Sequence, residues 1–132
     1  MIGLDTNVLV RFFMKDDPVQ WGIAARFLDE QCTPDDPGYI NLIVLCELAW
    51  VLRRSYKIRR EGILRIINEI LQTDALTVQS PGTVFLALRD CEAGRGDFPD
   101  CLLAQVNDES GCSKTVTFDV AASRVAGMQL LV

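Results

Sequence analysis

The chain reads as an α/β fold in which short parallel strands form a sheet with helices on both faces. Two observations lead there. Short apolar or β-branched runs alternate with stretches whose apolar residues recur at helical spacing, the pattern of parallel strands joined by helical crossovers. The 132 residues suffice for one hydrophobic core and not for two, and no internal repeat, low-complexity tract or linker divides them. Residues 1–132 are therefore expected to form a single domain.

Residues 1–4 are a short apolar strand ending at Asp5, and after Thr6 and Asn7 a helix-compatible stretch runs over 8–14. Asp16, Asp17 and Pro18 break the chain and open a second helix, with Trp21, Ala24, Ala25 and Leu28 on one face. A loop follows over 34–38, and Tyr39 and Ile40 make a very short strand before a long apolar helix over 42–54. Residues 58–71 repeat apolar side chains at Ile63, Ile66, Ile67, Ile70 and Leu71, a helical period. Beyond it the pattern predicts a strand at 75–78, a helix at 81–91, a glycine-marked loop at 94–96 and a helix at 97–106. The polar run QVNDESGCSK ends that helix early, and a strand at 115–118, a helix at 120–126 and a strand at 129–132 complete the chain.

Apolar content of 49% excludes a disordered chain, and no apolar run approaches the roughly 18 residues of a membrane span. The N-terminal MIGLDTNVLV lacks the basic flank, long apolar core and cleavage site of a signal peptide, so a soluble, cytoplasmic protein is expected. The five cysteines include no C-x-x-C pair and there is no histidine, which argues against zinc and disulfides and leaves Cys46 and Cys101 as small buried hydrophobes. The missing histidine also removes Ser-His-Asp and Cys-His mechanisms. Any catalysis must come from carboxylates, a metal, or both.

Net charge is −5, which argues against a general nucleic-acid-coating surface. Six of the thirteen basic residues nevertheless cluster as Arg53, Arg54, Lys57, Arg59, Arg60 and Arg65. That segment is either a phosphate-binding patch or a solvated helix end.

Four acids, Asp5, Glu47, Asp100 and Asp119, stand where a carboxylate is awkward without a cation. Asp5 and Asp119 follow strands, and ligands of an open parallel sheet bind beyond the carboxyl ends of its strands. Both also precede helical segments and so suit helix capping. Asp97 and Asp100 have capping-box spacing, with Asp97 the cap and Asp100 in the first turn near the positive end of the helix dipole. Glu47 is the only charged residue in the apolar stretch 42–52, so it is expected on a buried helix, where an unpaired carboxylate would cost several kcal/mol. Two carboxylates about 6 Å apart repel by roughly 3 kcal/mol at an effective dielectric near 20, and a divalent ion reverses that sign. Oxygen ligands without His or Cys suit Mg²⁺ or Mn²⁺, ions that support phosphoryl chemistry.

The segments LDTNVLVRFF, LCELAWVL, GDFPDCLLA and TVTFD resemble, in order and spacing, the motifs of PIN-domain ribonucleases, and most closely the toxin component of bacterial VapBC-type toxin–antitoxin pairs. The resemblance spans essentially the whole chain. It implies a three-layer α/β/α sandwich with a central, mainly parallel sheet, and endonucleolytic cleavage of RNA, with transfer RNA a family-level target, using one or two Mg²⁺ or Mn²⁺ ions. Asp5, Glu47, Asp100 and Asp119 match the family's acidic quartet, Asp5 and Asp100 as direct ligands, Glu47 and Asp119 through water or a second ion. Asn7 and Thr117 match polar positions that orient the acids, and Asp97 an acid beside the third motif. The resemblance further implies a homodimer and a small VapB-like antitoxin whose C-terminal segment lies in the acidic groove.

Two other readings stay open. One is a catalytically silent PIN-like module that binds RNA or protein. The other is a receiver-like phosphoacceptor domain, which needs a lysine after a late strand, whereas Lys114 precedes its strand and Glu47 lies within a helix.

Overall fold

The computed structural model describes residues 1–132, which form two units, Met1–Gln79 and Ser80–Val132. In the first unit β1 (Ile2–Gly3), β2 (Gly38–Ile40) and β3 (Leu76–Val78) pair side by side in that order, all parallel. Parallel neighbours cannot be joined by a tight turn, and each step here is bridged by two helices. These are α1 (Thr6–Met14) and α2 (Pro18–Gln31) between β1 and β2, then α3 (Leu42–Arg54) and α4 (Arg60–Leu71) between β2 and β3. Gly38 lies at the crowded start of the middle strand, opposite Ile2 and Leu76. A Cβ there would come within 2.8 Å of a Leu4 methyl and 3.1 Å of a Leu76 methyl.

Helix α1 packs on α2 and α3, and α3 packs on α4. Leu9, Ile40, Leu45, Leu48, Leu52, Ile67 and Ile70 are fully buried, forming an aliphatic core. In the second unit α5 (Pro81–Glu92) packs along α6 (Phe98–Glu109), burying Val84, Leu88, Phe98 and Leu102, and β4 (Thr115–Thr117) pairs in parallel with β5 (Met128–Leu130). The Cys101 thiol is fully buried as expected, and its pKa is pushed up by a hydrogen bond with Cys91 and by burial, whereas Cys46 is partly exposed. No helix is long and apolar enough to cross a membrane.

Several boundaries differ from the sequence-based reading, each for a local reason. Helix α1 begins at Thr6 rather than residue 8 because Asp5 caps it. Helix α4 begins at Arg60 rather than 58, since Lys57 takes a left-handed conformation at φ 56° and Arg59 is extended. The polar end of α6 does not fray at 106. Gln105 donates to Asp90 (2.9 Å) and Asn107 to Thr115 (3.0 Å), so tertiary hydrogen bonds carry the helix to Glu109. The helix expected over 120–126 is absent: only a single 3₁₀ turn, Ala122–Arg124, forms before extended Val125 and Gly127 at φ 85° end it. Strands β4 and β5 are correspondingly shifted, to Thr115–Thr117 and Met128–Leu130.

Helix α3 supplies a test of this packing. Leu48→Ala, at a fully buried position, should lower unfolding free energy by about 2–5 kcal/mol in urea denaturation, whereas Ile43→Ala on the same helix, at 70% exposure, should change it by less than about 0.5 kcal/mol.

Candidate active site

Asp5 is exposed and caps α1. Its extended backbone (φ −79°, ψ 157°) turns the carboxylate back over the helix start, and Oδ1 accepts from the Thr6 N–H at 2.7 Å. Thr6 is buried, and its hydroxyl donates to Glu47 Oε1 at 3.1 Å. One residue therefore touches two of the expected acids, through its amide and through its side chain. Nothing in the sequence singled out Thr6, which read only as a spacer. The signal available was a hydroxyl directly after a helix-capping acid.

Glu47 is not buried, contrary to the reading of α3 as apolar all round. The helix buries Val44, Leu45, Leu48, Ala49 and Leu52, while Ile43 and Trp50 are 70% and 47% exposed and flank exposed Glu47 on the opposite face. Arg54 continues that face one turn beyond Trp50, since residues at these spacings lie above one another. Glu47 thus keeps most of its hydration, and the desolvation cost that made it conspicuous does not arise. Asn7 is exposed and lines a cavity of about 600 Å³ between α1 and α2, together with Arg11, Gln20, Ile23 and Phe27.

In the second unit Asp97 caps α6, accepting from the Asp100 N–H at 2.9 Å, with Pro99 in the first turn as the sequence predicts. Asp119 follows β4. Its Oδ1 accepts from the N–H groups of Ala121 (2.8 Å) and Ala122 (3.2 Å), and its own N–H donates to Thr117 Oγ1 at 3.0 Å. Thr117 thus touches the backbone of Asp119 and not its carboxylate. Asp100 is half-buried, and its pKa is raised from 3.8 to about 6 by burial first, then by the charge and hydrogen bond of Asp97 and the charge of Asp119. The second unit thus brings these three acids into mutual electrostatic reach.

Each unit contributes acids with one oxygen engaged and another open. Asp5 uses Oδ1, Glu47 uses Oε1 and Asp119 uses Oδ1 for hydrogen bonds within the chain, and the second oxygen of each makes none. Within neither unit do three or more acidic or thiol groups converge as a finished metal cage. The donor chemistry nonetheless fits a hard divalent cation: carboxylates alone, with Asp100 made harder to ionise by burial and by the neighbouring acids Asp97 and Asp119.

The basic residues occupy the α3–α4 connection. Arg53 and Arg54 lie in the last turn of α3, where they complement the helix dipole, Lys57 and Arg59 in the connection, and Arg60 and Arg65 on α4. All but Arg60 are exposed, and none forms an ion pair. Six residues of helix separate Glu47 from Arg53, a rise of about 9 Å.

The acid-bearing segments agree with a family comparison, in which the PIN domain profile matches residues 2–128. The chain belongs to the PIN-domain family. Membership carries the α/β/α sandwich class with its parallel sheet, consistent with the parallel strands and intervening helices seen in the chain. This PIN-domain protein is also similar to a VapC ribonuclease of Aquifex aeolicus (strain VF5), with 26% identity over 115 residues that cover 87% of this chain and 84% of the relative.

The raised pKa of Asp100 gives the PIN-domain protein a defined pH signature. Between about 4 and 6 the folded form binds more protons than the unfolded form, so this group's contribution to stability falls as pH rises through that window. In chelator, Asp100→Asn should stabilise the fold at pH 7 by on the order of 1 kcal/mol, allowing for solvent screening at a half-buried position, and the gain should vanish below about pH 4. Thermal melts of both proteins across pH check this.

Proposed function

We propose that this protein is a metal-dependent endoribonuclease of the VapC type, the toxin half of a toxin–antitoxin pair, acting in the cytoplasm as one PIN-like domain over residues 1–132. The observation that carries the proposal is the grouping of Asp100 with Asp97 and Asp119 in a half-buried place, where burial first and then the two neighbouring acids raise its pKa to about 6, in a chain of PIN membership similar to a VapC ribonuclease. Acids gathered at such a cost have a ready explanation in a cation that they share with a substrate phosphate.

Asp5 and Asp100 are assigned as the direct ligands of Mg²⁺ or Mn²⁺, with Glu47 and Asp119 holding the ion through water or a second ion. When bound, the metal supplies positive charge that acidifies water and neutralises the phosphodiester. The residues of the chain do the rest. Thr6 fixes Glu47 beside the start of α1, and Glu47, with Oε2 open, accepts the proton of the attacking water. Thr117 holds the backbone of Asp119, and Asp97 fixes the first turn of α6 and hence Asp100. Asn7 is assigned as a further orienting group. Arg53, Arg54, Lys57, Arg59 and Arg60 bind flanking RNA phosphates. Water adds to phosphorus as the bond to the 3′-oxygen breaks, the departing oxygen takes a proton from solvent water and Glu47 returns its proton to solvent, leaving 5′-phosphate and 3′-hydroxyl ends. The partners in this reading are structured RNA such as transfer RNA, a second copy of the chain, and a small VapB-like antitoxin that presents a basic residue to the acids.

Purified, antitoxin-free protein incubated with a mixed pool of transfer and structured RNA should cut it with Mg²⁺ or Mn²⁺ and not with EDTA. Asp100→Asn and Asp5→Asn should each reduce cleavage by about 100-fold or more while remaining folded. Parent-like cutting by Asp5→Asn in metal-replete buffer would remove Asp5 from the ligand set.

A further inference from the structure

Tyr56 carries a polar network that neither the acids nor the basic patch explains. Its hydroxyl donates to Asp16 Oδ2 at 2.7 Å and lies 3.3 Å from Arg11 Nη1. The same Arg11 nitrogen reaches both Asp16 oxygens, at 3.3 and 3.4 Å, and Arg11 Nε donates to Gln20 Oε1 at 2.6 Å. Four segments meet at this point: α1 through Arg11, the α1–α2 turn through Asp16, α2 through Gln20, and the α3–α4 connection through Tyr56. The network has the chemistry of a firm anchor. A charged donor and a charged acceptor share the Tyr56 hydroxyl, and charge-assisted bonds are roughly twice as strong as neutral ones. Its effect on both partners agrees, since the Asp16 carboxyl is held below its ordinary value by the tyrosine and the Tyr56 phenol is pushed up by Asp16.

Position gives this anchor a role. Tyr56 lies between Arg53–Arg54 and Lys57–Arg59, inside the basic segment, and Lys57 next to it holds a left-handed backbone at φ 56° that a loose connection would not keep. At the other end, Arg11 lies on the helix that Asp5 caps. Without the anchor, Lys57 and Arg59 would sit on a connection held to α3 only through its backbone, where the Ile58 N–H donates to the Leu52 carbonyl at 3.0 Å, and would each lose more freedom on meeting phosphate.

We propose that Tyr56 is a positioning residue for RNA binding, tying the basic α3–α4 connection to α1 through Asp16 and Arg11 so that its cations meet phosphate in a fixed place. The proposal rests on the reading of that segment as an RNA contact. It predicts an effect on binding that passes only through the cations.

The test is a double-mutant cycle of Tyr56→Phe, which removes one oxygen and keeps the ring, against the triple variant Arg53→Gln, Arg54→Gln, Lys57→Gln. Steady-state cleavage of a fluorescent RNA stem-loop is read as KM and kcat, and the Kd of the same RNA is read in EDTA. Tyr56→Phe should raise KM and Kd about fivefold with kcat within twofold, and its effect should be smaller in the triple variant, which keeps Arg59 and Arg60. Asp16→Asn, which keeps shape and loses charge, should move KM in the same direction. An unchanged KM and Kd in Tyr56→Phe, with both raised in the triple variant, would overturn the anchor and leave the RNA contact standing. Unchanged values in the triple variant would overturn the RNA contact and the anchor with it. A loss in Tyr56→Phe that persists undiminished in the triple variant would make Tyr56 merely structural. Should the parent fail to cleave, the Kd cycle in EDTA still decides the anchor independently of the ribonuclease reading.

Discussion

Carboxylates that accept backbone N–H groups at the start of helical segments are the interaction that fixes the candidate acids within each unit. Asp5, Asp97 and Asp119 each use Oδ1 in this way, at α1, α6 and the 3₁₀ turn. Such bonds satisfy donors that a helix start cannot pair internally. They also fix the rotamer, so the outward oxygens of Asp5 and Asp119 need no further ordering before they meet a ligand. Capping and catalysis are often set against each other as explanations of an acid at such a position. Here the two are compatible, because Asp5 and Asp119 each cap with one oxygen and leave the other open.

Asp100 is the exception, and its position explains why. It stands in the first turn of α6, where its own N–H is used by Asp97 and no backbone N–H is donated to its carboxylate. Burial and two negative neighbours then raise its pKa to about 6. A carboxyl perturbed by burial and by neighbouring acids is what functional sites commonly contain.

Helix α3 shows a second division of labour. One face packs Leu45, Leu48 and Leu52 into the core, and the other leaves Ile43, Glu47, Trp50 and Arg54 accessible. The acid is held by a hydroxyl from α1, and the helix ends in the basic residues of the α3–α4 connection. Packing that stabilises the first unit therefore also places an acid and a set of cations along one rigid rod, about 9 Å apart in rise.

Much of this was legible in the amino-acid sequence because it depends on local chemistry. The extent of α3, the capping of α6 by Asp97 and the alternation of strands and helices follow from periodicity, proline and short polar side chains acting within a few residues. The four acids stood out by residue type and spacing. What only the tertiary structure decided involves partners distant along the chain. Thr6 became a link because α1 and α3 pack together, 41 residues apart in sequence. Glu47 proved exposed because the core needed only one face of an apolar helix. The polar end of α6 stayed helical because Asp90 and Thr115 receive its side chains, and residues 120–126 form only one 3₁₀ turn because extended Val125 and Gly127 at φ 85° lead the chain into β5, which pairs with β4. Sequence reports the preference of each segment; packing decides which face is buried and which hydrogen-bond partner is within reach.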